Sequence, residues 1–571
     1  MRMQRRLVLW GIALGALAFA PATALAVPTC AQLATDPANG LVGNPIILTP
    51  TATLVPAAGS NAAYCRVDFV VSQHGGPEFG YAVGQQQHIT LRVGLPLNSA
   101  DGGTGGVQGA WNGKTRNLGG GGCVGSVGAV TGATNTRYVG SSTDGGHTGG
   151  DCSFALTPDP HKLNVGLLRD NSYDSILAQV QWAKKLANTY YGRPAARNYW
   201  DGCSTGGRQG FAIAQAYPEE LDGWLVGAPG VNYGRFRTEQ IWGQVVMKDL
   251  VGGPIDAAKL NQATASAIAA CDSLDGITDG LLNDPRRCTW SATNNICGRQ
   301  GAPAANCLTK AEATAIDMIW DGPRNSKGKK VFVPYSRAAS LLAINGTTPS
   351  FTATSQVQWN HEDASFDWHT LTIDGYADEA ELGSNVNGDL INVMSPALDW
   401  VRNSGKKILM WQGEADQLIQ TENSLNYYDH VANYFSGGTP DFSVLQSWFR
   451  YFRAPGVAHC GGGSGPQPVA LFETMVNWVE NGVAPDSILA SGGAVPTRTR
   501  LLCPFPQEAI YIGSGSTDNA ANFYCGGNLQ TKDAVCQGII TKYKKETQGG
   551  VDTMGTYNEA TCNPNSNVAV H

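Results

Sequence analysis

The amino-acid sequence predicts an α/β fold: a mainly parallel sheet with a large insertion and a short cysteine-rich C-terminal segment. Residues 196–228 run as a strand, a sharp turn, a helix and a second strand, the order typical of a parallel sheet. From about residue 232 to 392 the composition changes to cysteine pairs, acidic loops and scattered aromatic residues, which indicates an inserted domain. After Arg500 the chain has four cysteines among many glycine, asparagine and serine residues, which indicates an appendage held by disulfides.

The individual elements follow from apolar spacing and from glycine or proline boundaries. The predicted elements are a helix over 172–191, a strand over 196–200, a helix over 208–216, strands over 225–228, 407–411 and 448–454, and a helix over 469–479. The length exceeds one compact core, which predicts several units. These are a leader over 1–26, a core domain over 27–231 and 393–499, the inserted domain over 232–392, and the C-terminal segment over 500–571.

The N-terminus has the pattern of an export signal. Three arginines precede an apolar run from Leu7 to Ala20, and Ala24-Leu25-Ala26 fits a small-residue cleavage site. The alternative is a membrane anchor, but about fourteen apolar residues fall short of the roughly twenty that a span needs. We therefore expect cleavage near Ala26 and a secreted or periplasmic protein with no membrane anchor after processing.

The charge balance disfavours nucleic acid as a partner. The chain has 39 lysines and arginines against 46 acidic residues, a net charge of −7. Removing the leader, with its three arginines and no acid, makes the net charge −10. Nucleic acids and anionic membranes require a basic face, which this balance does not suggest. All fourteen cysteines follow the leader, and an even number in an oxidising compartment indicates seven disulfides better than metal ligands.

A short motif, GCSTG at residues 202–206, has the G-x-S-x-G form of a nucleophile elbow. Alone it is a weak signal, because patterns this short also occur by chance. Far downstream His459 is flanked by Cys460, just as Ser204 is flanked by Cys203. A disulfide between these cysteines would tie a nucleophilic serine to the histidine that accepts its proton. We therefore predict a serine hydrolase with Ser204 as nucleophile and His459 as general base.

A third group must orient the histidine, and Asp416 is the predicted acid. It follows the apolar strand over 407–411, and the chain order serine, aspartate, histidine is that of α/β-hydrolases. The sequence therefore predicts an α/β-hydrolase core. Rival acids and histidines that the sequence leaves open are Glu414, Asp399, His361, His369 and His430.

A reaction through a tetrahedral intermediate also requires an oxyanion hole, built from backbone N–H groups near the nucleophile. Thr205, the residue after the nucleophile, is expected to supply one of them. Four glycines at residues 119–122 allow N–H groups to converge without side-chain obstruction, and Gly121 and Gly122 are our candidates for the second. A flexible surface loop is the alternative for this run.

Several motifs, in order along most of the chain, resemble the tannase and feruloyl esterase family. They are WNG at 111–113 with the glycine run, STDGGH at 142–147, GCSTGGRQG at 202–210, DG at 222–223 with GAP at 227–229, QGEAD at 412–416, PGVAHCGGG at 455–463, and WVENG at 478–482 with AP at 484–485. The resemblance implies an α/β-hydrolase core with a lid inserted after the nucleophile. It also implies hydrolysis of aromatic carboxylic esters of the feruloyl, galloyl or terephthaloyl type.

By matching position, the resemblance implies that Ser204 is the nucleophile, Asp416 the orienting acid and His459 the general base. Three features depart from the family pattern. Gln417 stands where many members have proline, residues 169–173 differ from the usual aromatic-rich helix start, and the cysteine-rich segment after residue 500 is longer than in many members. Proximity and the family pattern together predict the cysteine pairs, although sequence alone leaves their connectivity open. The expected disulfides are Cys203–Cys460, Cys271–Cys288, Cys30–Cys65, Cys297–Cys307 and Cys503–Cys525, with Cys123–Cys152 and Cys536–Cys562 by elimination.

An acidic loop in the inserted domain packs three aspartates around two turn glycines. Hard oxygen ligands on a tight loop suit calcium, although the spacing of Asp272, Asp275 and Asp279 is not that of an EF-hand. The resemblance implies a structural Ca²⁺ held by these acids and by the backbone carbonyls of Ile277 and Leu281. A merely solvated acidic turn is the alternative.

An aromatic acyl group needs an apolar slot, for which the candidates are Trp359, Phe366 and Trp368 in the inserted domain, and Trp448. For each of them ordinary core packing is the alternative. The expected partner is a small aromatic ester. Two other functions stay open: a serine peptidase or amidase on the same core, and a non-catalytic binding protein on a hydrolase scaffold.

Overall fold

The structure is a computed structural model of the 571-residue chain. It describes residues 27–158, 162–324, 328, 330–437 and 441–529, together with the backbone of two strands over 545–548 and 551–554. The predicted leader over 1–26 and the predicted pair Cys536–Cys562 lie outside the described residues. In the described part of the chain, no helix has both the length and the apolarity needed to cross a bilayer.

A nine-stranded sheet forms the centre of the molecule, in the order β1-β2-β3-β5-β4-β6-β7-β8-β9. Its strands are β1 (Ile47–Val55), β2 (Tyr64–Val71), β3 (Ile89–Pro96), β4 (Lys114–Leu118), β5 (Val139–Thr143), β6 (Arg197–Cys203), β7 (Gly223–Gly227), β8 (Lys407–Gly413) and β9 (Phe449–Ala454). The pairs from β1 through β3 to β5 are antiparallel, whereas those from β5 through β4 and β6 to β9 are parallel. The predicted α/β fold is confirmed.

Helices flank this sheet and fill the segment between β7 and β8. They are α1 (Cys30–Leu33), α2 (Thr131–Asn135), α3 (Val165–Arg169), α4 (Ser175–Tyr191), α5 (Thr205–Ala216), α6 (Tyr233–Glu239), α7 (Trp242–Val251), α8 (Ala257–Cys271), α9 (Lys310–Asp321), α10 (Leu342–Asn345), α11 (Phe351–Asn360), α12 (Tyr376–Ile391), α13 (Asp399–Asn403), α14 (Thr421–Ser436) and α15 (Leu471–Asn481). α5 packs on β6 and β7, so the helix that starts at the elbow rests on the centre of the sheet.

All three predicted helices begin at different residues from those expected, and the one predicted over 469–479 is α15, Leu471–Asn481. The helix predicted from residue 172 is α4, and a π-helical turn over Asp170–Asp174 precedes it. The helix predicted from residue 208 begins at Thr205, directly after the elbow. Two glycines concealed this first turn, because glycine is a poor helix former. They are needed there, since a β-carbon on Gly207 would lie 2.5 Å from the Gly227 carbonyl oxygen of β7.

The sheet and the inserted segment have separate apolar clusters. One lies between the sheet and its helices and includes Trp200, Phe211, Trp224, Met410 and Phe449. The other is built by the segment between β7 and β8 and includes Trp242, Ile316, Trp320, Val357 and Tyr376. β7 and β8 are nevertheless neighbours in the sheet. The inserted helices therefore form a layer with its own core, and we call residues 232–392 the lid.

Short antiparallel strands complete the fold. They are β10 (Gln467–Pro468), β11 (Ile488–Ser491), β12 (Thr499–Leu502), β13 (Glu508–Tyr511), β14 (Phe523–Gly526), β15 (Lys545–Gln548) and β16 (Val551–Met554). Arg500 of β12 pairs with Asp279 of the lid, so the C-terminal segment contacts the lid. Six of the expected disulfides connect the described residues, namely Cys30–Cys65, Cys123–Cys152, Cys203–Cys460, Cys271–Cys288, Cys297–Cys307 and Cys503–Cys525.

Candidate active site

The nucleophile elbow forms where β6 ends. Ser204 has a φ of 64° and a ψ of −125°, a strained conformation for a residue with a side chain. Its N–H donates to the Gly227 carbonyl at 2.9 Å, which fixes the turn against β7. The backbones are closely packed, since a β-carbon on Gly202 would lie 2.5 Å from the Gly206 carbonyl oxygen. The serine therefore stands on a sharp strand-to-helix turn, as a nucleophile elbow requires.

Asp416 follows β8 and binds His459. Its side chain is buried, and Nδ1 of His459 lies 2.9 Å from Oδ2 and 3.1 Å from Oδ1. The Leu418 and Ile419 N–H groups donate to Oδ1 at 2.9 Å each, and Gln412 Nε2 donates to Oδ2 at 3.0 Å. Because an ionised carboxylate only accepts, this arrangement assigns a proton to Nδ1 of the histidine. Nε2 is then the nitrogen that can accept a proton from a nucleophile.

A disulfide holds the serine and histidine segments together. Cys203 and Cys460, the chain neighbours of Ser204 and His459, are bonded with a Cα–Cα distance of 5.9 Å. The elbow follows β6, whereas the histidine follows β9, and β7 and β8 lie between these strands. The disulfide thus spans the carboxyl edge of the parallel strands, where Asp416 also lies. The three predicted catalytic residues are brought to one edge of the sheet.

The rival acids and histidines have other partners. Glu414 pairs with Arg453, and although burial raises the pKa of this carboxyl, the arginine opposes the rise. Asp399 accepts a hydrogen bond from the Tyr434 hydroxyl at 2.8 Å. The rival histidines lie in the lid and on α14: His361 contacts Glu379 at 2.7 Å, His369 contacts Asp367 at 2.6 Å, and His430 is buried. His459 is the candidate histidine that contacts Asp416.

The glycine run lies against the elbow. The Thr205 hydroxyl donates to the Gly122 carbonyl at 2.6 Å, which places the end of the run beside the residue after the nucleophile. The first two glycines of the run use their N–H groups elsewhere, donating to the Asp201 carbonyl and to Gln209 Oε1 at 2.9 Å each. These two contacts do not involve the N–H groups of Gly121 and Gly122, which stay our candidates for the second oxyanion donor.

The aromatic residues predicted to line a substrate slot lie at different depths. Trp448 is buried in the cluster beside the sheet, where its indole N–H donates to the Val444 carbonyl at 3.1 Å. Trp359 is only 1% exposed, and its indole N–H donates to the Cys152 carbonyl at 3.1 Å. A side chain that lines an open slot would have accessible surface, so this burial favours core packing, the alternative for Trp359. Phe366 and Trp368 are partly exposed and each stacks on a histidine at the edge of the lid core. A role for these two in substrate binding stays a prediction.

The acidic loop of the lid holds its three aspartates close together. Asp272 accepts the N–H of Asp279 at 3.1 Å. Burial raises the pKa of the Asp275 carboxyl to about 6, with the nearby Asp279 and Asp272 adding to the effect. Arg500 contacts Asp279 and supplies a positive charge on one side of the loop. The loop therefore concentrates negative charge in a partly buried place.

The fit of this loop to calcium rests on its donor chemistry. Within the part of the chain that the structure describes, no group of three His, Cys, Asp or Glu side chains stands in metal-binding geometry. The carboxylates instead accept hydrogen bonds from loop N–H groups, as Asp275 does from Ile277 at 3.2 Å. Three carboxylates and the backbone carbonyls of one tight loop are nonetheless hard oxygen donors, the type that calcium prefers. The residues therefore fit the ion in their donor chemistry, though not in the arrangement that the described residues have here.

Two residues that contact the site were not predicted. Gln417 Oε1 accepts the backbone N–H of His459 at 3.0 Å, a contact across 42 positions. The hydroxyl of Tyr335 in the lid lies 2.9 Å from the Gln417 carbonyl oxygen. Only the family pattern drew attention to Gln417, and nothing local in the sequence reveals either contact.

Comparison with known sequences supports the resemblance. The family profile described as "Tannase and feruloyl esterase" matches residues 107–526. A "Probable feruloyl esterase" of Arthroderma benhamiae is 32% identical over 472 residues, covering 78% of this chain and 83% of that protein. The mono(2-hydroxyethyl) terephthalate hydrolase of Piscinibacter sakaiensis is 28% identical over 554 residues, covering 82% of this chain and 86% of that protein.

Comparison with solved structures gives the same fold. The tannin acyl hydrolase of Aspergillus niger has a TM-score of 0.75 at 22% identity, covering 89% of this chain and 98% of that one. The family profile spans most of the chain, and the relative from Arthroderma benhamiae exceeds 30% identity over more than two thirds of it. The chain therefore belongs to the tannase and feruloyl esterase family and is a carboxylic ester hydrolase.

Proposed function

We propose that the protein hydrolyses esters of aromatic carboxylic acids through a serine acyl-enzyme. The observation that supports this most is the His459–Asp416 hydrogen bond, held beside Ser204 by the Cys203–Cys460 disulfide. A serine on a strained elbow, a histidine with Nε2 available and a buried carboxylate are the parts that nucleophilic acyl transfer needs.

In the proposed first half-reaction, His459 Nε2 takes the proton of the Ser204 hydroxyl as its oxygen bonds to the ester carbonyl carbon. The N–H of Thr205, with that of Gly121 or Gly122, stabilises the negative oxygen of the tetrahedral intermediate. The carbon–oxygen bond to the alcohol then breaks, and the alcohol leaves with the proton from His459. Water, activated by the same nitrogen, attacks the acyl-serine and releases the acid.

The aromatic preference is tested with a panel of esters. We expect at least one of methyl ferulate, methyl gallate and mono(2-hydroxyethyl) terephthalate to have a kcat/KM about tenfold or more above that of methyl cyclohexanecarboxylate, since an aromatic slot favours a planar ring. The measurement is chromatography of the released acid, and methyl benzoate is the matched control for ring size. A higher kcat/KM for the saturated ester than for every aromatic one would contradict the proposal.

A peptidase or amidase on the same core is the second candidate function, and leaving-group chemistry separates it from an esterase. We expect p-nitrophenyl acetate to be hydrolysed and p-nitroacetanilide to be left intact. Comparable turnover of the anilide would favour the amidase.

We infer that Asp272, Asp275 and Asp279, with the carbonyls of Ile277 and Leu281, hold a structural Ca²⁺. The ion would neutralise carboxylates that otherwise repel one another, and ligand binding to the folded state stabilises it. Chelation is therefore expected to lower Tm by a few degrees, and added Ca²⁺ to restore it.

The matched control for this prediction is a carboxylate on the surface of the lid. Asp275→Asn is expected to make Tm insensitive to chelation, whereas Asp367→Asn, at an exposed position, is expected to leave the response unchanged. A wild-type Tm that chelation does not alter would refute the calcium assignment.

We infer further that the protein is exported and processed. The arginine-rich start, the apolar run and the small residues up to Ala26 support this, as do fourteen cysteines that all follow that position. Intact mass spectrometry of the exported protein is expected to give a chain that begins at Val27. Retention of residues 1–26 in the exported form would count against the inference.

A further inference from the structure

Two adjacent residues of one loop hold the candidate catalytic histidine at two different points. Asp416 binds the imidazole Nδ1, and Gln417 Oε1 accepts the backbone N–H of His459 at 3.0 Å. The orientation of the Gln417 amide is fixed by chemistry, because a backbone N–H is a donor and only the side-chain oxygen can accept from it. The ring and the backbone of His459 are thus both held by the same two-residue segment, Asp416 and Gln417.

The loop that carries the histidine has little regular structure of its own. After His459, the residues Cys460 and 461–463 all have positive φ values, between 58° and 133°. Within this turn the Ala458 N–H donates to the Gly462 carbonyl at 3.1 Å, and the Gly461 N–H donates to the Ala458 carbonyl at 3.2 Å. A turn built from glycines has many accessible conformations, so a contact to the His459 N–H adds to the restraint that the Cys203–Cys460 disulfide already imposes.

The segment that carries Gln417 is, by contrast, held firmly by the lid. Lid side chains lie within hydrogen-bonding distance of three of its backbone carbonyls: Ser336 Oγ of Glu414 at 2.7 Å, the Tyr335 hydroxyl of Gln417 at 2.9 Å, and Gln240 Nε2 of Leu418 at 2.8 Å. The Asp416 carboxylate accepts two N–H groups of the same segment. The segment can therefore serve as a fixed support for a more variable turn.

We propose that Gln417 is a positioning residue for the esterase reaction, acting through the main chain of His459. Its side-chain oxygen keeps the His459 backbone in place, so that the ring bound by Asp416 presents Nε2 to Ser204 in one geometry. The proposal rests on the serine esterase mechanism proposed above. It assigns part of the catalytic alignment to a residue that touches neither the substrate nor the reacting atoms.

The test compares variants that keep or remove the acceptor at nearly constant shape. Gln417→Met removes it, and we expect kcat for a p-nitrophenyl ester to fall about tenfold with KM within about twofold, because a part-buried hydrogen bond to the His459 backbone is lost. Gln417→Glu keeps an acceptor at the same distance, so it is expected to retain kcat within about threefold of the wild type. Tm is measured for every variant.

Gln467→Met is the matched control, because Gln467 Oε1 accepts a backbone N–H of the same loop, at Gly462 and 2.9 Å, but not at His459. It is expected to leave kcat within about twofold of the wild type. The proposal is overturned if Gln417→Met leaves kcat unchanged, or if Gln417→Glu or Gln467→Met lowers kcat as far as Gln417→Met. Should Gln417→Met not fold, Gln417→Asn, whose acceptor falls short of the N–H, replaces it. A wild type without esterase activity would refute the proposed function itself, which separates the two failures.

Discussion

Replacing Ser204 by alanine is expected to lower kcat/KM for ester hydrolysis by about 10⁴-fold or more. The lost hydroxyl is the atom that bonds to the acyl carbon in the proposed mechanism, and neither His459 nor Asp416 can take its place. Alanine removes a single oxygen and is no more strained than serine at a φ of 64°. The variant is therefore expected to keep the wild-type Tm. The measurement is steady-state hydrolysis of a p-nitrophenyl ester, paired with thermal unfolding of the same sample.

A second serine provides the control for this substitution. Ser424 is buried on α14, within the sheet-side core, and its replacement by alanine is expected to leave kcat/KM within about twofold of the wild type. Mass spectrometry after treatment with a fluorophosphonate should show one added group on the wild type and none on Ser204→Ala. Activity of Ser204→Ala near the wild-type value would overturn the whole serine mechanism.

Replacing Cys203 and Cys460 together by alanine is expected to lower both stability and activity. The disulfide closes a loop of 257 positions, and chain-entropy reasoning gives it about 5 kcal/mol of the free energy of unfolding. It also fixes the distance between the segments that carry Ser204 and His459. Since misplacement of a catalytic group by about 1 Å can cost on the order of 10²-fold, we expect kcat to fall by a similar factor. Thermal unfolding and ester kinetics of the double variant measure the two effects.

The lid disulfide Cys297–Cys307 separates the two effects. It closes a loop of only 10 positions, so its double alanine variant is expected to lose about 3 kcal/mol of stability, with kcat close to the wild-type value. Equal kcat values for the two double variants would mean that Cys203–Cys460 contributes to stability alone.

Local patterns in the sequence predicted part of the fold. The strand before the elbow, the elbow and the buried strand β8 each carry their own signal, and their chain order predicted the α/β core. The antiparallel strands β1 to β3 were not predicted individually. Their partners lie in other parts of the chain, and short apolar runs do not show which strand pairs with which.

The candidate site likewise has residues that the sequence predicts and residues that it does not. Ser204, Asp416 and His459 could be proposed from residue type, neighbouring cysteines and chain order. The burial of Trp359 could not be predicted, because an aromatic residue in a helical segment is as compatible with a packed core as with a substrate slot. The support from Gln417 depends on a side-chain contact between two loops, and only the folded chain shows that these loops are adjacent.

The paired strands β7 and β8 have a consequence for how this protein can diversify. Residues Gly223 to Gly227 of β7 pair directly with Lys407 to Trp411 of β8, although the inserted segment lies between these two strands in the chain. During evolution the insertion can lengthen, shorten or be exchanged without altering this register, and thus without moving the strand ends that carry the nucleophile and the acid. Tyr335 and Ser336 of the lid contact backbone carbonyls of the segment that carries Asp416, and these contacts limit that freedom. A transplanted lid must bring equivalent donors, so we expect lid grafts that change substrate range to retain activity only when those donors are retained.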